Sequence, residues 1–206
     1  GIEKIYWNSD LVTNYNDEYG SSSLFDGSYM DCDNIEVIIG DAVEKLPVRL
    51  FADMKMTLTM GKNLTEIGDS AFARCTFLNE ITFPETLVKI GAAAFSNAVL
   101  PCDIILDNTV EQIGNSAFSG ATVKNIKLGR KVKSIGSQVF SSTKYDSIEI
   151  DIPDAEFIGW RAFYNCKGLK DVYYTGTKAQ WDAIEIADNN EDFLNAAIHF
   201  KWSDVT

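Results

Sequence analysis

The chain contains one histidine, four cysteines and four prolines in 206 residues. No apolar run approaches the about 20 residues that a membrane-spanning helix needs. A single His is too few for the usual zinc ligand sets, and no CxxC pair replaces them. Basic residues are also scarce: 18 Lys plus Arg against 30 Asp plus Glu leave a formal charge of −12, which repels nucleic acid and anionic membrane surfaces. No GxSxG, HExxH or phosphate-cradling loop occurs. These absences predict a non-enzymatic chain with no cofactor, no metal and no membrane insertion, facing protein or glycan. Gly1 stands where a Met is usual and no basic, apolar leader follows, so a trimmed chain that has lost an export signal or anchor is expected.

What the chain does have is one phrase written five times: IGDSAF from residue 67, IGAAAF from 90, IGNSAF from 113, IGSQVF from 135 and IGWRAF from 158. The intervals are 23, 23, 22 and 23 residues, the signature of stacked repeats. Ile81 and Phe83 alternate with Glu80 and Thr82, and Ile104/Leu106, Ile126/Leu128, Ile148/Ile150 and Val172/Tyr174 repeat the spacing in the units that follow. That period of two predicts one short, half-buried strand per unit, and the short links between units predict parallel pairing. Val37/Ile39, Leu46 and Phe51 fit the same register, compressed.

The Gly of each phrase suits positive φ or a close approach to the next coil. A short helical turn is predicted after it, capped by Asp69, Asn115 or Ser137. Phe72, Phe95, Phe118, Phe140 and Phe163 then form an internal ladder, each burial worth about 1.5–3 kcal/mol. Residues 1–34 read as an N-terminal cap or degenerate repeat, 35–176 as the solenoid and 177–206 as a C-terminal cap, all one domain. In the last segment Thr177 and Gln180 have capping-box spacing, Trp181 and Ile184 share a helix face, and Ile198, Phe200 and Trp202 alternate as a closing strand.

The unit from Leu78 to Phe95, LNEITFPETLVKIGAAAF, resembles the BspA-like class of leucine-rich repeat, and the segment from Leu169 to Phe200 resembles the C-terminal cap of its surface proteins. The resemblance implies an α/β repeat: a right-handed solenoid with a parallel β-sheet on one face and short strands or helical turns on the other. It also implies export to a bacterial cell surface and adhesion or protein binding. The implied partner is a protein of a host or neighbouring cell surface or of the extracellular matrix, or a glycan. No binding residue carries over, because the shared motif is the scaffold.

Cys75 and Cys166 hold the same place four coils apart, about 19 Å at the strand spacing and too far for a disulfide. Cys32 and Cys102 are about three coils apart, while a Cys75 to Cys102 bridge stays open. Buried free thiols are the expectation. His199 reads as a strand or cap residue rather than a general base. Glu80 and Asp103 are spaced like a retaining glycosidase pair but read as solvated charges on an open sheet. The acidic stretches DCDN at 31 and DNNED at 188 lack EF-hand spacing.

The outward positions remain as the candidate binding face. One column is Ile38, Thr59, Thr82, Ile105, Lys127, Glu149 and Tyr173; its neighbour is Glu36, Thr57, Glu80, Asp103, Asn125, Ser147 and Asp171. Lys124, Lys127, Arg130, Lys131 and Lys133 add a basic segment beside acidic Glu149, Asp151, Asp154 and Glu156, with Arg130 and Lys131 joining the candidate face as a site for an anionic partner. A structural spacer of a larger surface protein, or a glycan-binding or glycan-cleaving protein, is the alternative.

Overall fold

The computed structural model describes residues 3–8, 33–106, 109–145, 147–150, 152 and 155–200. The expectations placed on Asp31, Cys32, Asp151, Asp154 and Trp202 lie outside the described residues, as does the Ser147 side chain. In chain order the elements are β1 (Lys4–Trp7), β2 (Asp33–Ile39), β3 (Lys45–Leu46), β4 (Lys55–Thr59), β5 (Glu66–Ile67) and β6 (Thr76–Phe77). Then come β7 (Lys89–Ile90), β8 (Ile104–Leu106), β9 (Gln112–Ile113), β10 (Asn125–Leu128), β11 (Ser134–Ile135) and β12 (Ser147–Ile150). The chain closes with β13 (Phe157–Ile158), β14 (Asp171–Tyr174), α1 (Lys178–Asp182), β15 (Glu185–Ile186), α2 (Glu191–Leu194) and β16 (Ala197–Phe200).

Every pairing among these strands is parallel, so the chain winds as a β-solenoid with little helix. The front carries the orders β1-β2-β4-β6 and β16-β14-β12-β10-β8; the back carries β3-β5-β7-β9 and β11-β13-β15. A third side is held by single bridges through Thr76, Val99, Thr122 and Lys144. β1 adds a parallel rung that pairs Ile5 with Val37.

The front is divided at residues 79–83, where a strand was expected and none forms. Ile81 and Phe83 are still buried and Thr82 exposed, so the alternation is real but the ladder is not. Side chains take its place. The Leu58 N–H donates to Asn79 Oδ1 at 2.8 Å and Asn79 Nδ2 donates to Leu58 O at 3.0 Å, while Cys102 Sγ lies 3.5 Å from the Ile81 N–H. The back is divided between β9 and β11, at the one interval of 22 residues.

The segment after each Gly is not helical, which corrects the expected capped turn. Two residues per coil have positive φ, such as Ser70 (53°) and Arg74 (59°), or Ala93 (52°) and Asn97 (56°). This alternation points every second N–H along the solenoid axis: Ser70 donates to Ala92 O, Phe72 to Ala94 O and Arg74 to Ser96 O. Asp69 and Asn115 cap the next coil rather than their own, accepting from the Ala92 N–H at 2.7 Å and the Ser137 N–H at 3.0 Å. The Gly is required for close approach: a Cβ on Gly114 would lie 2.5 Å from the Ala92 N.

About seven coils enclose one ring each. Phe51, Phe72, Phe95, Phe118, Phe140, Phe163 and Phe193 stack with centroids 5.8, 5.3, 5.3, 5.7, 5.4 and 4.2 Å apart. The last rung, Phe193, comes from α2 and closes the ladder. Asn190 anchors that closure: it is buried, accepts from the Phe163 N–H at 2.9 Å and donates to Gly159 O and Ala187 O, so DNNED is a structural corner. The capping box of α1 forms as expected, with Thr177 and Gln180 hydrogen-bonded reciprocally.

The three cysteines among the described residues are free thiols. Cys75 donates to Phe51 O at 2.9 Å and Cys166 to Phe140 O at 3.1 Å, and Thr143 does the same in its coil, to Phe118 O at 2.7 Å. Burial pushes the Cys75 thiol up to about 12, which leaves it unreactive at neutral pH.

Candidate functional site

The outward face of the five-stranded front sheet assembles most of the predicted column. Register places Ile105 beside Lys127, Lys127 beside Glu149, Glu149 beside Tyr173 and Tyr173 beside His199. Inward neighbours of these residues, Ile104, Ile126, Ile148 and Val172, are buried, so strand alternation alone turns the named side chains to solvent. Ile105 is 48% exposed and Tyr173 37%, large apolar surface on a face that is otherwise charged.

The contacts order this surface. Lys127 Nζ lies 3.2 Å from Glu149, and Asn125 Nδ2 donates to Asp103 at 3.0 Å. The Tyr173 and His199 rings stack 4.8 Å apart at 18°, and His199 Nε2 is 2.7 Å from Asp171 Oδ1. Asp103, Ile105, Asn125, Lys127, Glu149 and Tyr173 line one open hollow of about 450 Å³. An open, shallow site of mixed polarity can hold an extended ligand across several rungs; it does not enclose a reacting group.

The rest of the predicted column lies elsewhere. Ile38 and Thr59 pair on the first front sheet, with Tyr6 beside Ile38. Thr82 is exposed but belongs to no strand, so it does not join either group. Arg130 and Lys131 follow β10 on the turn toward β11, with Lys131 3.3 Å from Glu111, and Lys124 sits 4.0 Å from Glu80. The basic segment therefore wraps around a corner of the solenoid, with Lys127 alone of the five on the strand column. Sequence reasoning missed His199 and Tyr6 as the end rungs of the columns. Counting from Tyr173 to the closing strand is upset because α1 and α2 lengthen the last unit, although the alternation at Ile198 and Phe200 marks His199 as outward.

Among the described residues no group of three His, Cys, Asp or Glu side chains is placed to hold a metal ion, and no helix is long and apolar enough to cross a membrane.

Comparison with known proteins bears on the scaffold. The model of the BspA type leucine rich repeat region matches six copies, over residues 3–102 and 102–183. No curated protein matches the chain. A leucine-rich repeat protein from Bacteroides ovatus is similar in structure, at 18% identity and a TM-score of 0.42, over 83% of this chain and 67% of that one. The pneumococcal vaccine antigen PcpA is similar at 12% identity and a TM-score of 0.37, over 81% of this chain and 79% of that one. The repeated IG phrase, the parallel coils and the length of the family match lead to one conclusion: the chain belongs to the BspA-type leucine-rich repeat family.

Proposed function

We propose that the chain is a non-enzymatic binding module, displayed on a bacterial cell surface or released outside it, that recognises a macromolecule through the outward face of its five-stranded sheet. The family, a repeat module, supports the scaffold part of this reading. The observation that carries the binding part is the contrast between the two faces of the same strands. Inward positions are hydrophobic, from Ile104 and Leu106 to Val172 and Tyr174, as stacking demands, whereas the outward column changes from Ile105 to Lys127, Glu149, Tyr173 and His199. A surface with no packing role that combines exposed apolar anchors with charges of both signs has the composition of a recognition face.

The partner class favoured by this mixture is a protein of the extracellular matrix or of another cell's surface. Binding of the purified chain to an array of matrix proteins and mucins tests it, repeated with Ile105→Asp and Tyr173→Asp together. Saturable binding that the double variant loses, with its unfolding midpoint unchanged, is the expected result. Absence of saturable binding to every ligand would make the module a spacer.

A further inference from the structure

The third side of the solenoid carries a second hollow, of about 480 Å³, between the last coils. Among the described residues the single bridges of the third side run through Thr76, Val99, Thr122 and Lys144, beside which the hollow opens. Val123 donates its N–H to Lys144 O at 3.0 Å.

Its lining differs in charge from the rest of this acidic molecule. Several bases on adjacent coils are matched with acids: Lys4 with Glu36, Lys45 and Lys89 with Glu66, Lys127 with Glu149. Here Lys144 and Lys167 hold equivalent positions on neighbouring coils, and among the described residues no carboxylate lines the hollow and neither lysine has an ion pair. Two like charges on neighbouring coils are unfavourable by themselves and favour an anion placed between them. Neutral groups sit alongside. Ser142 accepts from Asn165 Nδ2 at 3.1 Å, leaving the Asn165 carbonyl free to accept, and Thr122 is exposed. The buried Tyr145 ring and Val123 supply an apolar wall.

We propose that this hollow is a second site, independent of the strand face, that binds a sulfated glycan, with Lys144 and Lys167 holding one sulfate group. Two ammonium groups suit a compact oxyanion. Hydroxyl and amide groups beside an apolar wall suit the hydroxyls and the face of a sugar ring.

Titration calorimetry of the full chain with a heparin-derived hexasaccharide, its desulfated counterpart and inorganic sulfate tests the assignment. The expected result is binding of the sulfated hexasaccharide alone, weakened by salt, and reduced about tenfold or more in Lys144→Gln/Lys167→Gln. Both lysines are exposed, so the variant keeps its fold, checked by circular dichroism. Ile105→Asp/Tyr173→Asp should bind the hexasaccharide like the parent chain, which separates this site from the strand face. No binding by the parent, equal binding of the desulfated sugar, or unchanged binding by the lysine variant would overturn the proposal. Inorganic sulfate binding as tightly as the hexasaccharide would reduce the site to one for a free ion and overturn the glycan assignment.

Discussion

Phe118 shows how much one position can carry. Its ring is fully buried, 5.3 Å from Phe95 and 5.7 Å from Phe140, and its carbonyl accepts the Thr143 hydroxyl. Coils above and below are fixed by backbone ladders, so a cavity there cannot collapse. Phe118→Ala should cost about 3–5 kcal/mol. Thr82, exposed and outside any strand, makes a matched control, and Thr82→Ala should change stability by less than about 0.5 kcal/mol. Urea midpoints of the two variants check the pair, and equal shifts would mean that the inward and outward assignments are wrong. The ladder was legible because one residue type recurs at a fixed place. Its end rungs, Phe51 and Phe193, were harder to read: Phe51 follows Leu46 in a compressed unit without the IG phrase, and Phe193 lies in a helix with no repeat around it.

At the scale of elements, alternation locates buried faces but not hydrogen bonds. Ile81 and Phe83 alternate with Glu80 and Thr82 as well as any pair in the chain, yet this stretch forms no strand, because the Asn79 side chain occupies the edge of β4 where the next strand would bond. A carboxamide offers an acceptor oxygen and N–H donors, the complement of the N–H and carbonyl that Leu58 presents. Nothing in the spacing of apolar residues reports that substitution. The turn segments were misread for a related reason: residues such as Ala93, Gln138 and Arg161 hold positive φ because coil-to-coil bonding over-determines them, against their own preference. Asn79→Ala should cost about 1–3 kcal/mol by leaving both Leu58 backbone groups unpaired. Faster amide exchange at Leu58, with Val37 unchanged, would accompany the loss. An unaltered Leu58 exchange rate would show that the amide is dispensable to the edge. The candidate face was legible for Ile105, Lys127, Glu149 and Tyr173, whose strands pair in the expected register, and not for Thr82 or Arg130 and Lys131, which a break and a turn carry off the column.

For the whole molecule, the two divisions raise the question of whether the solenoid is one cooperative unit. The front is divided at 79–83 and the back between β9 and β11, so the two lie in different coils. Across the front division the turn ladder continues, with Phe72 donating to Ala94 O at 2.9 Å; across the back division Phe118 donates to Val139 O at 2.9 Å. The Phe stack crosses both without interruption. At both divisions, backbone bonds and the Phe stack still join the neighbouring coils, so nearest-neighbour coupling stays strong at each step. A single unfolding transition follows. Amide exchange in mild urea should converge on one opening free energy for Val37, Ile104 and Val172, which sit in buried front strands on either side of the divisions. Phe72→Ala and Phe163→Ala, near opposite ends of the ladder, should each lower that value at all three amides by similar amounts. If Phe163→Ala lowered it at Val172 alone, the divisions would mark the boundary between two independently unfolding halves.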